Sequence, residues 1–169
     1  EERVLICLDR KSGKTLWSQI VLRTPLERKH TLNSHASSTP ACDGERVFST
    51  FLDAPRMRVY AHDLAGNKLW EVSPGEFHSV YGYCSSIVPY KDTIIVNGDQ
   101  DAEAFIVALD RTNGEERWRI QRPNVMRSYC TPTIFEIDGR TQMVLSGNIC
   151  VASYDPGTGK LWWILDGPT

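Results

Sequence analysis

No stretch of the 169-residue chain reaches the roughly 20 consecutive apolar residues of a membrane-spanning helix, so it offers no such span. It has no adjacent cysteines and no C-x-x-C pair. Cys7, Cys42, Cys84, Cys130 and Cys150 are an odd number of widely spaced thiols, which argues against a zinc site and reads as small hydrophobes in apolar strands. Neither charge is in excess: 19 Lys and Arg face 21 Asp and Glu, for a net charge of -2, and the basic residues are scattered. That balance argues against a nucleic acid partner or an anionic membrane surface. No n-region, h-region or cleavage site is present, so any export signal is expected to lie outside these residues. A long helix is missing too, because apolar runs are short and Gly or Pro breaks them repeatedly. With 41% hydrophobic and 24% charged residues, the chain can nevertheless bury a core, and disorder is set aside.

An internal repeat is the strongest feature. Cys7-Leu8-Asp9-Arg10-Lys11-Ser12-Gly13-Lys14-Thr15-Leu16-Trp17 returns around Asp63, Gly66 and Trp70, around Asp110, Gly114 and Trp118, and around Asp155, Gly159 and Trp163. Each copy sets Trp four residues after Gly, and the tryptophans recur every 45–53 positions or so, a blade-sized period. A weaker repeat lies between the copies. Ser38-Thr39-Pro40, Ser85-Ser86-Ile87 and Cys130-Thr131-Pro132 each precede a turn (Asp43-Gly44, Lys91-Asp92, Asp138-Gly139) and an apolar run. Each unit therefore predicts four strands joined by tight turns.

The residue types have physical reasons. A small Ala, Cys or Ser allows close approach, the Asp carboxylate accepts turn N–H groups, and Gly supplies a positive φ. The indole then wedges against the next unit. Burying it removes about 150–250 Å² from water, at most roughly 4–6 kcal/mol of gross stabilisation per ring. Asp9, Asp63, Asp110 and Asp155 are accordingly expected to be structural, as are the glycines and tryptophans of the motif.

The pattern Ala-x-Asp-x-x-x-Gly-Lys-x-x-Trp resembles the tryptophan-docking motif of pyrroloquinoline-quinone (PQQ)-type β-propellers, and the similarity covers essentially the whole chain. Asn33-Ser34-His35-Ala36-Ser37-Ser38-Thr39-Pro40, followed by Asp43-Gly44-Glu45-Arg46-Val47, resembles the PQQ-like repeat proteins of planctomycete-type bacteria. Those are similar in architecture to the propeller lipoprotein of the outer-membrane barrel-assembly machinery. The resemblance implies an all-β partial propeller, an exported or periplasmic address, and a non-catalytic scaffold for a protein or envelope component. A half blade over 1–22 and blades over 35–75, 81–122 and 128–167 are expected, forming part of a seven- or eight-bladed ring. Blade faces left open at the two ends would favour self-association.

The alternative is a fragment of a PQQ-dependent alcohol or sugar dehydrogenase, with PQQ and calcium as cofactors. The adjacent-cysteine pair of many such enzymes is missing here, and no carboxylate matches their catalytic one, so no cofactor and no catalytic residue are assigned. His30 and His35 do not form a metal-binding spacing, no serine sits in a Gly-x-Ser-x-Gly elbow, and Gly157-Thr158-Gly159 is a turn. For binding, the expected channel-lining set on inner strands is Asn33 and His35, then His78, Tyr81 and Tyr83, then Arg127 and Tyr129, with Arg127 as a donor to an anionic ligand.

Overall fold

The computed structural model describes residues 1–123 and 127–167. Among them are fourteen strands. β1 (Glu2–Leu8) and β2 (Thr15–Arg23) form a two-stranded sheet. β3 (Ala41–Cys42), β4 (Arg46–Asp53), β5 (Arg56–Asp63) and β6 (Lys68–Val72) form the second sheet. The third comprises β7 (Val88–Tyr90), β8 (Thr93–Gly98), β9 (Phe105–Asp110) and β10 (Glu116–Gln121). The fourth comprises β11 (Thr133–Ile137), β12 (Arg140–Ser146), β13 (Cys150–Tyr154) and β14 (Leu161–Asp166). Each is an antiparallel meander in chain order. The short first strands converge, β3 lying against β7, while the tryptophan-bearing strands end each sheet.

Successive sheets stack face to face. Phe48, Met57 and Val59 of the second meet Ile94, Val96 and Val107 of the third. On its other face the third sheet presents Ile95, Ile106 and Ala108 to Met143, Leu145 and Ala152 of the fourth. Being covered on both sides, β8 and β9 are buried almost throughout, and they read as continuous apolar runs for that reason. β2 and β14, in the two terminal sheets, stay largely exposed.

The repeated motif is also a repeated contact. Trp17, Trp70, Trp118 and Trp163 pair across their hairpins with Cys7, Ala61, Ala108 and Ser153, each beside a register shift. The first three rings lie on the turn glycine of the next sheet. A Cβ on Gly66 would meet Trp17 at 2.9 Å, one on Gly114 would meet Trp70 at 2.9 Å, and one on Gly159 would meet Trp118 at 2.9 Å. Trp17 Nε1 donates to the Leu64 carbonyl at 2.8 Å and Trp70 Nε1 to the Arg111 carbonyl at 3.2 Å, in each case the residue after the motif Asp. Trp17 and Trp70 thus close their sheet-to-sheet joints with both face and N–H, and Trp118 closes its joint with its face.

In the turns, Asp9 accepts from the Ser12 amide (2.7 Å), Asp63 from the Asn67 amide (2.8 Å), Asp110 from the Thr112 amide (2.7 Å) and Asp155 from the Gly157 amide (2.7 Å). These bonds favour the carboxylate. The Ser12 hydroxyl and amide pull the Asp9 pKa below its usual value, the Asn67 side chain and amide do so at Asp63, and the Thr112 and Arg117 side chains hold Asp110 far down. Depressed folded-state values contribute stability above the unfolded value of about 3.9 and lose it as pH falls through the folded values. The thermal midpoint should therefore change little through these groups from pH 7 to about 4 and decline below that. Asp110→Asn should flatten the decline, as thermal unfolding between about pH 5 and pH 2 will test. A midpoint that falls between pH 6 and 5, with the same slope in Asp110→Asn, would contradict the assignment.

The expected binding residues are not on inner strands. Asn33 and His35 precede β3, His78, Tyr81 and Tyr83 precede β7, and Arg127 and Tyr129 precede β11, all in irregular connections. Their amides and carbonyls bond to side chains and loop partners instead of a ladder, as at Ser34, whose amide donates to Asn33 Oδ1 (2.8 Å) and lies within reach of Ser37 Oγ.

Candidate functional site

The antiparallel meanders put two kinds of connection at opposite ends of the sheets. One end carries the tight Asp–Gly turns and the short hairpins after β3, β7 and β11. The other carries the long connections 24–40 and 73–87 and the described parts, 122–123 and 127–132, of the connection before β11, joined by 99–104 and 147–149. Long loops have backbone to spare for recognition, so the candidate surface is the second end.

There the structure gathers Asn33, Tyr81, Arg127 and Tyr129. Tyr81 and Tyr129 meet edge to face with ring centroids 6.2 Å apart, His30 lies 5.8 Å from Tyr81 on its other side, and the Arg127 guanidinium sits 5.5 Å from the Tyr81 ring centre. Such ring and cation contacts each favour this arrangement modestly. The first connection clamps Tyr81 from behind: Asn33 Nδ2 (2.8 Å) and the His30 amide (3.2 Å) both donate to its carbonyl. Two open clefts of about 380 and 410 Å³ flank the tyrosines, the first lined by His30, Leu32 and Cys84, the second by Arg127, Ser128 and Asn148.

Arg127 does not offer the free cation expected of an anion donor. Its Nε bonds to the Asp101 carboxylate, which raises its pKa and occupies the charge. Tyr83 is removed from the surface: it is buried in the core between the second and third sheets, edge-on to Phe77, and burial pushes its phenol well up. His35 and His78 stand apart from the tyrosines. His35 Nδ1 lies 3.2 Å from Glu27, a carboxylate that Arg3 also engages at 2.5 Å, and exposed His78 pairs with Glu76 at 3.0 Å.

Beneath the surface lies an ion pair that no sequence motif announces. Arg122 donates to both Asp99 oxygens at 3.0 and 3.2 Å and to the Tyr154 hydroxyl at 2.5 Å, with both charged side chains fully buried. Burial works against the Arg122 charge, but Asp99 and Tyr154 hold its pKa up. The pair ties connection 99–104 to the fourth sheet. Gln100 continues the tie to the connection 73–87, accepting from the His78 amide (2.7 Å) and donating to the Glu76 carbonyl (2.8 Å).

The described residues bring no carboxylate cluster for a calcium-bound quinone to this surface. Calcium takes about 6–8 oxygen ligands, several of them carboxylate. Among the described residues no three His, Cys, Asp or Glu side chains form a metal-holding group, and Asp99 and Asp101 are both engaged by arginine. No helix among the described residues is long and apolar enough to cross a membrane.

Stacked four-stranded meanders, converging at their first strands and jointed by tryptophan at their last, define a β-propeller scaffold with a loop-built face. The chain belongs to the family described as Outer membrane protein assembly factor BamB, whose model matches residues 1–166. Among solved structures it is similar to BamB from Moraxella catarrhalis, at 19% identity and a TM-score of 0.68, covering 98% of this chain and 44% of that one. The quinohemoprotein alcohol dehydrogenase from Comamonas testosteroni is similar at 14% identity and a TM-score of 0.68, over 96% of this chain and 32% of that one. A quinohemoprotein alcohol dehydrogenase from Pseudomonas putida HK5 is similar at 18% identity and a TM-score of 0.66, over 96% and 31%. The chain thus spans less than half the length of each of these structures. No relative matches among the curated proteins.

Proposed function

We propose that the chain is a non-catalytic scaffold that docks a protein partner of the cell envelope on its long-loop face, with Tyr81 and Tyr129 as the central anchors. The observation that carries this reading is the apolar surface there. Leu32 is 92% exposed beside the two half-exposed tyrosines and Val80, and the nearest cation is already neutralised by Asp101. A surface of aromatic and aliphatic groups with internally paired charge suits a protein interface better than a small anion. The family's description as an outer membrane assembly factor supports an exported address and a protein partner.

Buried aromatic anchors commonly account for about 2 kcal/mol or more of binding each. Tyr81→Ala with Tyr129→Ala should therefore reduce capture of envelope proteins at least about thirty-fold, with the thermal midpoint nearly unchanged because both rings are outside the core. Capture compared between wild-type and variant chains checks this. A partner retained equally by both would remove the site, and no partner in any envelope extract would remove the reading.

A further inference from the structure

We infer that Cys84 and Cys130 are a disulfide-forming pair, a modification site that bridges the connections before β7 and β11. The inference goes beyond the docking reading and is measured without any partner. Both are free, half-buried thiols in the structure, on segments that run side by side. Three successive contacts set that alignment. The Cys84 sulfur lies 3.7 Å from the Tyr129 carbonyl oxygen, the Ser85 hydroxyl donates to the Cys130 carbonyl at 2.9 Å, and the Ser86 amide donates to Thr131 Oγ1 at 3.1 Å. The first of these oxygens belongs to the peptide group that contains the Cys130 nitrogen, so the Cys84 side chain reaches the backbone of its counterpart.

The two side chains also meet at one joint. Cys130 packs against the apolar core between the third and fourth sheets, and Cys84 reaches toward it from the third-sheet side. Burial, and after it the Cys130 sulfur, raise the Cys84 pKa, a coupling that well-separated thiols do not share. Cys84 also lines the cleft beside His30 and Leu32, which gives a small oxidant access to it. With glutathione disulfide as that oxidant, the Cys84 thiolate attacks one sulfur and expels one glutathione thiolate. The Cys130 thiolate then attacks the Cys84 sulfur of the mixed disulfide and expels the second. The two protons lost by the cysteines end on the two released thiols, and the oxidant takes up the two electrons. A raised thiol pKa leaves little thiolate near neutrality, so the bridge is structural and not an exchange catalyst. It closes a loop of about 45 residues, which constrains the unfolded chain, and it ties the connection bearing Tyr81 to the one bearing Tyr129.

After incubation of the chain with glutathione disulfide, peptide mapping without reduction should recover one linked pair, joining the Cys84 and Cys130 peptides. The thermal midpoint of the oxidised chain should rise by at least about 5 °C and return on reduction with dithiothreitol. Cys84→Ser should abolish both the linked pair and the rise, whereas Cys42→Ser, at an exposed thiol on β3, should keep both. The mapping is done on the wild-type chain, so it decides the matter even where a variant folds poorly. Oxidation that stops at a glutathione adduct on Cys84, links Cys130 to Cys150 or yields no link overturns the inference. A Cys84–Cys130 link that leaves the midpoint unraised shows thiols forced together by the oxidant and overturns it as well.

Discussion

Arg122→Ala is expected to lower folding stability by about 3–5 kcal/mol, because it leaves the Asp99 carboxylate buried without its counter-charge. Both side chains are at 0% exposure, so water cannot replace the guanidinium without opening the joint between the third and fourth sheets. At about 2–4 °C per kcal/mol for a domain of this size, the thermal midpoint should fall by roughly 10 °C. Replacing both partners with apolar residues, Asp99→Leu with Arg122→Met, should recover much of the loss, because no unpaired charge then remains. Tyr154 would still lose the partner of its hydroxyl. Thermal and urea unfolding of the two single variants and the double variant measures the coupling. A single-variant cost below about 1 kcal/mol would mean that the pair is screened by solvent and holds nothing. The consequence extends to the loop face: Asp99 and Gln100 anchor the connection that carries Asp101, and Asp101 holds Arg127 over Tyr81.

How far the sequence reveals this molecule depends on the range of each interaction. The Asp–Gly–Trp frame is legible because its parts are local: a carboxylate bonding amides two to four residues ahead, a glycine at positive φ and a ring at fixed offset recur as a spelled pattern. The four-sheet architecture follows from counting that pattern. The Arg122–Asp99–Tyr154 cluster spans three elements at unrelated spacings, so nothing in the chain's local pattern marks it. The binding residues fall between these cases. Asn33, Tyr81, Arg127 and Tyr129 are found together because the connections before β3, β7 and β11 lie side by side at one end of the sheets. Tyr83 is two residues from Tyr81 in the same aromatic run, yet it points into the core, since the irregular backbone before β7 has no period from which a facing could be inferred. Arg127's engagement by Asp101 depends on a neighbouring loop and could be read only from coordinates.

The tryptophan joint predicts its own energetics. Trp70 packs on Gly114 and beside Phe48, so Trp70→Ala should cost about 3–5 kcal/mol through lost burial and the gap left between the second and third sheets. Gly114→Ala attacks the same joint from the other side. It incurs about 1–2 kcal/mol for a left-handed residue and about 1–3 kcal/mol more for overpacking, because its Cβ would stand 2.8 Å from Val72 and 2.9 Å from Trp70. Gly139→Ala, at φ +73° with open space around it, isolates the backbone contribution alone. Gly114→Ala should therefore be the more damaging of the two by about 1–3 kcal/mol. In the Trp70→Ala background that excess should shrink, with the Val72 contact remaining, since residues that touch do not contribute additively. Equal costs for Gly114→Ala and Gly139→Ala in urea unfolding would make Gly114 a turn residue only, and the indole would then be resting near the glycine without depending on it.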